Sequence, residues 1–354
     1  MTIKELDELI IDETSVKAYK EALDKWDRVA KPLGSLGDFE EEVARIAGVF
    51  DDVSFDIGKK TVIVMCADNG IVNEGISQSG QEVTRAVATS LGKRESSVCK
   101  LARVAGSEVI SVDVGIAGTE TPEGVLNFKI MEGTRNFSKE PAMTEEEVLA
   151  AIEAGIRTVA LCKEQGCKIL ATGEMGIGNT TTSAAMTSAL LSLEVEEITG
   201  RGAGLDDERL AHKKAVIKAA LEKYNFESGE TLRILETVGG LDIAAMAGVF
   251  IGGAIYHIPV VIDGLISAVA ALTAEKLKPG VKEFMIASHV SREPAMRHIL
   301  KELELKPVID AGLALGEGTG AVMLFPLLDM AMELYDSSTS FSRMGIEEYK
   351  RFEN

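Results

Sequence analysis

Glu317 stands in the loop Leu315-Gly316-Glu317-Gly318-Thr319-Gly320, between an apolar run and a helical one. Glycine lets a ligand come close to the backbone, and the start of a helix offers unpaired N–H groups. The same layout recurs in Gly173-Glu174-Met175-Gly176-Ile177-Gly178-Asn179-Thr180 and in Gly200-Arg201-Gly202-Ala203-Gly204-Leu205-Asp206-Asp207. Three glycine-rich turns carrying acids point to a site that holds an anion and moves a proton.

Each turn also has a plainer reading. The first joins an apolar run to an Ala-rich helix opening at Thr180, an arrangement that binds phosphate through backbone N–H groups. Taken alone, it is equally a tight turn with an exposed acid. It lacks the Lys-Ser/Thr ending of a nucleoside-triphosphate loop and the G-x-G-x-x-G spacing of a dinucleotide site. In the second turn Asp206 or Asp207 suits a helix N-cap, and Lys213 is either a phosphate ligand or a solvated lysine. In the third, an apolar setting from Leu313, Leu315, Val322 and Met323 would make Glu317 a general base near neutral pH. The alternative is that Glu317 caps its own helix. There is no G-x-S-x-G elbow and no local Cys/His pairing. The acidic-pair loop of pyrophosphate-donor phosphoribosyltransferases is missing too, so any ribose phosphate handled here comes from a nucleoside monophosphate, without magnesium.

These turns need a scaffold. Continuous β-branched runs at 61–68, 108–114, 168–172, 259–263, 283–288 and 307–311 suit strands buried on both faces of a parallel sheet. Helical stretches at 144–163, 180–193, 206–224 and 265–277 alternate with them. The fold class expected is α/β, a Rossmann-like, doubly wound, mainly parallel sheet. Ligands of such sheets lie outside the carboxyl ends of the strands, which marks Asp68, Asp263 and the loops after 172 and 288. The first fifty residues read as helical, broken at Lys31-Pro32-Leu33-Gly34-Ser35-Leu36-Gly37 and restarted with Asp38 as N-cap. The tail after Leu324 also reads as helical, up to Phe352. Residues 1–58 and 330–354 are therefore expected to form a small helical domain beside a large α/β nucleotide-binding domain, 59–329.

The net charge of −19 argues against a nucleic-acid partner, which needs a basic face. No apolar stretch reaches the roughly 20 residues of a membrane span, and the N-terminus lacks a signal-peptide pattern. A cytoplasmic protein is expected. Cys66, Cys99, Cys162 and Cys167 lack metal-site spacing, and His212, His257, His289 and His298 form no metal-binding cluster. Neither a metal nor a disulfide is expected.

The ordered blocks together resemble the nicotinate-nucleotide–dimethylbenzimidazole phosphoribosyltransferase family from about Lys31 to Leu324. The likeness is carried by K-P-L-G-S-L-G from Lys31, Ala67-Asp68-Asn69-Gly70, Glu74-Gly75, Glu82-Val83-Thr84, Gly133-Thr134-Arg135-Asn136 and Pro141-Ala142-Met143-Thr144. It continues through the three glycine-rich turns, Asp263-Gly264, Ser291 and Glu293-Pro294.

The resemblance implies transfer of 5-phosphoribose from nicotinate mononucleotide to 5,6-dimethylbenzimidazole, with inversion at C1′ and no cofactor. It implies Glu317 as the catalytic base and Glu174 beside the ribose. Gly176, Gly178, Asn179, Thr180, Gly202, Ala203, Gly204 and Lys213 would cradle the phosphate, with Asp263, Ser291 and Leu315 lining the nucleotide pocket. It further implies a homodimer. The chain departs from the family at Asn69, where A-D-H-G is usual, at Gly80 in place of proline, and at Ala295-Met296 in place of G-H. These departures leave open another acceptor, such as a benzimidazole analogue, a purine or a phenol. A mononucleotide-binding module without chemistry is the reading from outside the enzymes.

Overall fold

The computed structural model describes residues 1–351. Its main sheet contains β1 (Lys60–Ala67), β2 (Glu108–Gly115), β3 (Leu126–Asn127), β4 (Ile169–Met175), β5 (Val260–Ile262) and β6 (Met285–Ala287). The strand order is β3-β2-β1-β4-β5-β6 and every pairing is parallel. The order reverses between β1 and β4, so a crevice opens at their carboxyl ends. Five of the six expected strands stand in this sheet.

The sixth does not. The run expected at 307–311 becomes β8 (Ile309–Leu313), which pairs with β7 (His289–Ser291) in a separate two-stranded parallel sheet. Its side chains are half-buried or exposed, so it lacks the two-sided burial of a central strand.

Alternation along β1 divides the interior. Ile63, Met65 and Ala67 point into a core built with the helices Glu145–Glu164, Asn179–Leu191, Leu241–Ile255 and Leu265–Leu277. Val62, Val64 and Cys66 point into a second, built with Val16–Arg28, Asp38–Phe50, Ser97–Val104 and Thr319–Ser337. The helix Leu241–Ile255 is buried on nearly every side, so its sequence shows no amphipathic period. It crosses Glu145–Glu164 closely: a Cβ on Gly155 would lie 2.7 Å from the Val249 nitrogen, and one on Gly248 2.8 Å from the Ile152 carbonyl carbon.

At the chain ends, Trp26 stacks obliquely on Tyr335 with ring centroids 5.1 Å apart, and the Lys25 ammonium lies 2.8 Å from Asp336. Val29 pairs with Ser340 in an antiparallel bridge, and the Arg351 guanidinium meets Asp27 at 2.6 and 2.8 Å. Two expectations need correction. Gly37, with φ near 65°, takes the N-cap position and Asp38 is the first helical residue, its carboxylate adding favourable charge in the first turn. The tail leaves helix after Met344 up to Arg351, because Gly345 adopts a left-handed conformation that ends the last helix. Phe352 lies outside the described residues.

Candidate active site

A cleft of about 230 Å³ opens at the carboxyl ends of β4 and β5 and against the β7–β8 sheet. The end of β4 supplies Glu174, the turn after it Gly176, the following helix start Asn179 and Thr180, and the second glycine-rich turn Gly202 and Ala203. Asp263 and Ser267 follow β5, His289 and Ser291 come from β7, and Leu315, Gly316 and Thr319 close the remaining side. The three glycine-rich turns, far apart in sequence, therefore meet in one place.

One end of the cleft is built for an anion. Lys213 is fully buried, and its ammonium donates to the Thr180 hydroxyl at 3.0 Å and the Gly200 carbonyl at 3.2 Å. Burial pulls its pKa down to about 8, and the Glu293 carboxylate opposes that shift. Asp206 caps the helix that carries it, accepting from the Arg209 N–H at 2.8 Å. The solvated-lysine reading is excluded. Gly178 is the N-cap of Asn179–Leu191 at φ 97°; the Asn179 and Thr181 N–H groups donate to the Gly176 and Gly178 carbonyls, which leaves the Thr180 N–H for an anion at the cleft wall.

Next to this seat stands an acidic group. The Asn179 amide donates to Glu174 and, at 3.0 Å, to Asp242, holding two carboxylates on one side chain. Desolvation raises Glu174 to about 8, the negative charges of Asp242, Asp263 and Glu317 add to it, and the Asn179 bond opposes it. Desolvation likewise raises Asp242 to about 6. Asn69 is buried beside them, its carbonyl oxygen accepting from the Thr182 hydroxyl at 2.9 Å. A Cβ on Gly176 would lie 2.6 Å from Asp242, so only glycine lets the turn pass over this cluster.

Asp263 accepts from the Ala321 N–H at 3.0 Å, at the start of Thr319–Ser337. Burial pushes its carboxyl upward while His289 pulls it down, and burial lowers the imidazole of His289. Ser288 donates to the Ile262 carbonyl at 2.6 Å and so accepts from His289 Nδ1 at 2.8 Å, which puts the hydrogen of neutral His289 on Nδ1.

Glu317 flanks the cleft without forming part of its wall. Its backbone is left-handed at φ 60° and packs over Gly173, where a Cβ would meet its carbonyl carbon at 2.6 Å. The side chain does not cap its own helix, whose N-cap is Gly318. It accepts instead from the Val98 N–H at 3.2 Å, in the first turn of Ser97–Val104. Of the apolar residues expected around it, Val322 is buried and Leu313 partly buried, but Leu315 and Met323 are 61% and 44% exposed. Leu315 stands in the loop before the helix, and Met323 lies on the outward side of Thr319–Ser337.

Of the other expected site residues, Gly178 and Lys213 lie behind the cleft wall, and Gly204 lies outside it, its carbonyl accepting from the Gln78 amide. Asp68, marked by its strand end, is buried and accepts from the Ala117 N–H at 2.8 Å. Three residues were missed as site residues: Asp242, His289 and Glu293. The Gly239-Gly240-Leu241-Asp242 string, two glycines and an acid at a helix start, was a usable signal for the first. Histidine spacing gave none for His289, the one histidine in the cleft wall.

A Rossmann-ordered sheet, an anion seat at helix starts and a neighbouring group of carboxylates define a mononucleotide-handling α/β protein. The chain belongs to the DBI_PRT phosphoribosyltransferase family, whose model matches residues 11–346. It is 43% identical over 326 residues to the nicotinate-nucleotide–dimethylbenzimidazole phosphoribosyltransferase of Clostridium perfringens strain 13, covering 92% of this chain and 90% of that one. The enzyme of the same name from Acetivibrio thermocellus is 41% identical over 336 residues, covering 94% and 96%. The crystal structure of CobT from Thermus thermophilus superposes with a TM-score of 0.89 at 37% identity, covering 94% of this chain and all of that one.

Proposed function

We propose that the protein transfers 5-phosphoribose from nicotinate mononucleotide to 5,6-dimethylbenzimidazole, giving α-ribazole 5′-phosphate and nicotinate. The observation that carries this is the 43% identity, over nine-tenths of both chains, to an enzyme of that name. The C1′–N bond to the pyridinium breaks and nicotinate leaves with the electron pair. An azole nitrogen bonds to C1′ from the opposite face, which inverts the centre.

The residues divide the work. The N–H groups around Thr180 and Gly202, with Lys213 beneath, hold the 5′-phosphate. Glu174 faces the ribose with its carboxyl protonated below about pH 8, able to donate to a ribose hydroxyl, while Asp242, behind Asn179, supplies the negative charge that favours the cationic character developing at C1′. Glu317 accepts the N–H proton of the attacking base. A pyridinium leaves as a neutral ring, so no acid is required for departure, and the site mainly positions its reactants.

We place the activity in a cytoplasmic homodimer. Met323, Met330 and Leu334 form an exposed apolar stripe along Thr319–Ser337, at 44%, 62% and 40% exposure, and a second copy of that face would cover it. All four cysteines are free and buried, which fits a reducing compartment. We also keep 1–58 with 330–354 as a small helical domain, on the Val29–Ser340 bridge and the Trp26–Tyr335 contact. Among the described residues no helix is long and apolar enough to cross a membrane.

The test is incubation with nicotinate mononucleotide and a panel of benzimidazoles, purines and phenols, with products read by mass spectrometry. A ribazole phosphate from dimethylbenzimidazole is expected. Nicotinate release with no acceptor turned over would remove the transfer, and no product at all would leave a binding module.

A further inference from the structure

Glu293 follows β7 and reaches across the cleft to the second glycine-rich turn. Its Oε1 accepts from the Gly202 N–H at 2.9 Å, while its Oε2 is buried with no partner. The carboxylate lies so close to the turn that a Cβ on Gly200 would stand 2.6 Å from the Glu293 carboxyl carbon. Its own N–H donates to the Ser291 hydroxyl at 3.3 Å, which fixes the short turn it springs from. Thus one of the N–H groups assigned above to the phosphate already carries an anion.

The charge balance gives that anion a purpose. Lys213 is fully buried, and both of its hydrogen-bond acceptors, Thr180 and Gly200, are neutral. A buried ammonium without a counter-charge is costly. Glu293 supplies the counter-charge in the unliganded protein, and a phosphate would supply the same charge in the same place. The two cannot both stay: a phosphate on the Gly202 N–H would face the unpartnered Oε2 at close range, anion against anion.

We propose that Glu293 is an internal placeholder for the 5′-phosphate, bound on the Gly202 N–H in the free protein and displaced by the incoming ribotide. This rests on the assignment of Gly202 and Lys213 to the phosphate. It adds a selectivity device. An anion that binds only the seat must displace a tethered competitor, whereas a ribotide also gains contacts along the rest of the cleft. The displacement weakens both ligands by the same factor, which lifts the already weak binding of free phosphate out of range while the nucleotide, with its further contacts, still binds.

Calorimetry on the full chain tests this with nicotinate mononucleotide, the nucleoside lacking the phosphate, and inorganic phosphate as probes. Glu293→Gln keeps the shape, loses the charge and turns one oxygen into a donor; Glu293→Ala removes the competitor altogether. Both should bind nucleotide and inorganic phosphate about tenfold tighter or more, the loss of a charged acceptor being worth that much. The nucleoside should bind as it does to wild type. In steady state the gain should fall on KM for the nucleotide and not on kcat. Unchanged or weaker binding in both variants, while Lys213→Met still weakens the nucleotide, would overturn the placeholder and leave Glu293 a structural support. If Lys213→Met also leaves nucleotide affinity untouched, the seat itself is misassigned and the proposal falls with it.

Discussion

The Glu317 carboxylate accepts a hydrogen bond from the Val98 N–H at 3.2 Å, joining two residues 219 positions apart. The loop after β8 is thereby tied to the first turn of Ser97–Val104, and Glu317 is held at the edge of the cleft. Its other oxygen is free to take a proton from a substrate. Glu317→Gln keeps an acceptor for Val98 and removes the base. The expected loss in kcat is about 10²- to 10⁴-fold, with KM for nicotinate mononucleotide unchanged. Initial rates at saturating acceptor decide it, and full activity would remove Glu317 from the chemistry.

Gly173 sets the height of that loop. A Cβ there would press on the Glu317 carbonyl carbon at 2.6 Å and the Gly318 nitrogen at 2.8 Å, both backbone atoms that cannot swing aside. Gly173→Ala should lift Glu317 from its place and lower kcat at least tenfold, because a shift of about 1 Å costs up to 10²-fold. Circular dichroism should report an unchanged fold. Wild-type turnover in this variant would contradict the positioning argument.

Glu174 makes stability depend on pH. Its carboxyl is near 4.5 when unperturbed and about 8 in the fold, so the folded chain holds an extra proton between those values. The stability this contributes is full below about 4.5 and is lost as pH rises through 8. Glu174→Gln cannot lose that proton. The melting temperature of the variant should exceed that of wild type at pH 9, and the gap should close toward pH 5. Parallel melting curves across this range would show that the carboxyl titrates normally.

Met330 is 62% exposed in the middle of the apolar stripe on Thr319–Ser337. Met330→Glu should break a symmetric contact, since like charges would meet near the axis. Sedimentation should then give a dimer for wild type and a monomer for the variant. A wild-type monomer at micromolar concentration would dispose of the assembly.

Much of this scaffold is legible from local chemistry. β1, β4 and β5 are short β-branched runs between glycine-rich turns, and the helices at 144–163 and 206–224 carry capping residues at Thr144 and Asp206 that the structure uses. Leu241–Ile255 escapes because a helix wrapped by protein has no polar face to mark its period. β8 misleads because its composition resembles a central strand while its neighbours leave it half-exposed. The glycine-rich turns announce the site, yet the pairings of Asn179 with Asp242, Glu293 with Gly202 and Glu317 with Val98 are long-range. No spacing rule on one segment encodes them.

The alternation along β1 has a thermal consequence. Neighbouring residues of one strand anchor opposite halves of the interior, Val62, Val64 and Cys66 on one side and Ile63, Met65 and Ala67 on the other. Neither half can loosen without stripping the strand from the other. The helices Val16–Arg28, Asp38–Phe50 and Thr319–Ser337, packed on one side of that strand, should therefore melt together with the rest in a single calorimetric transition.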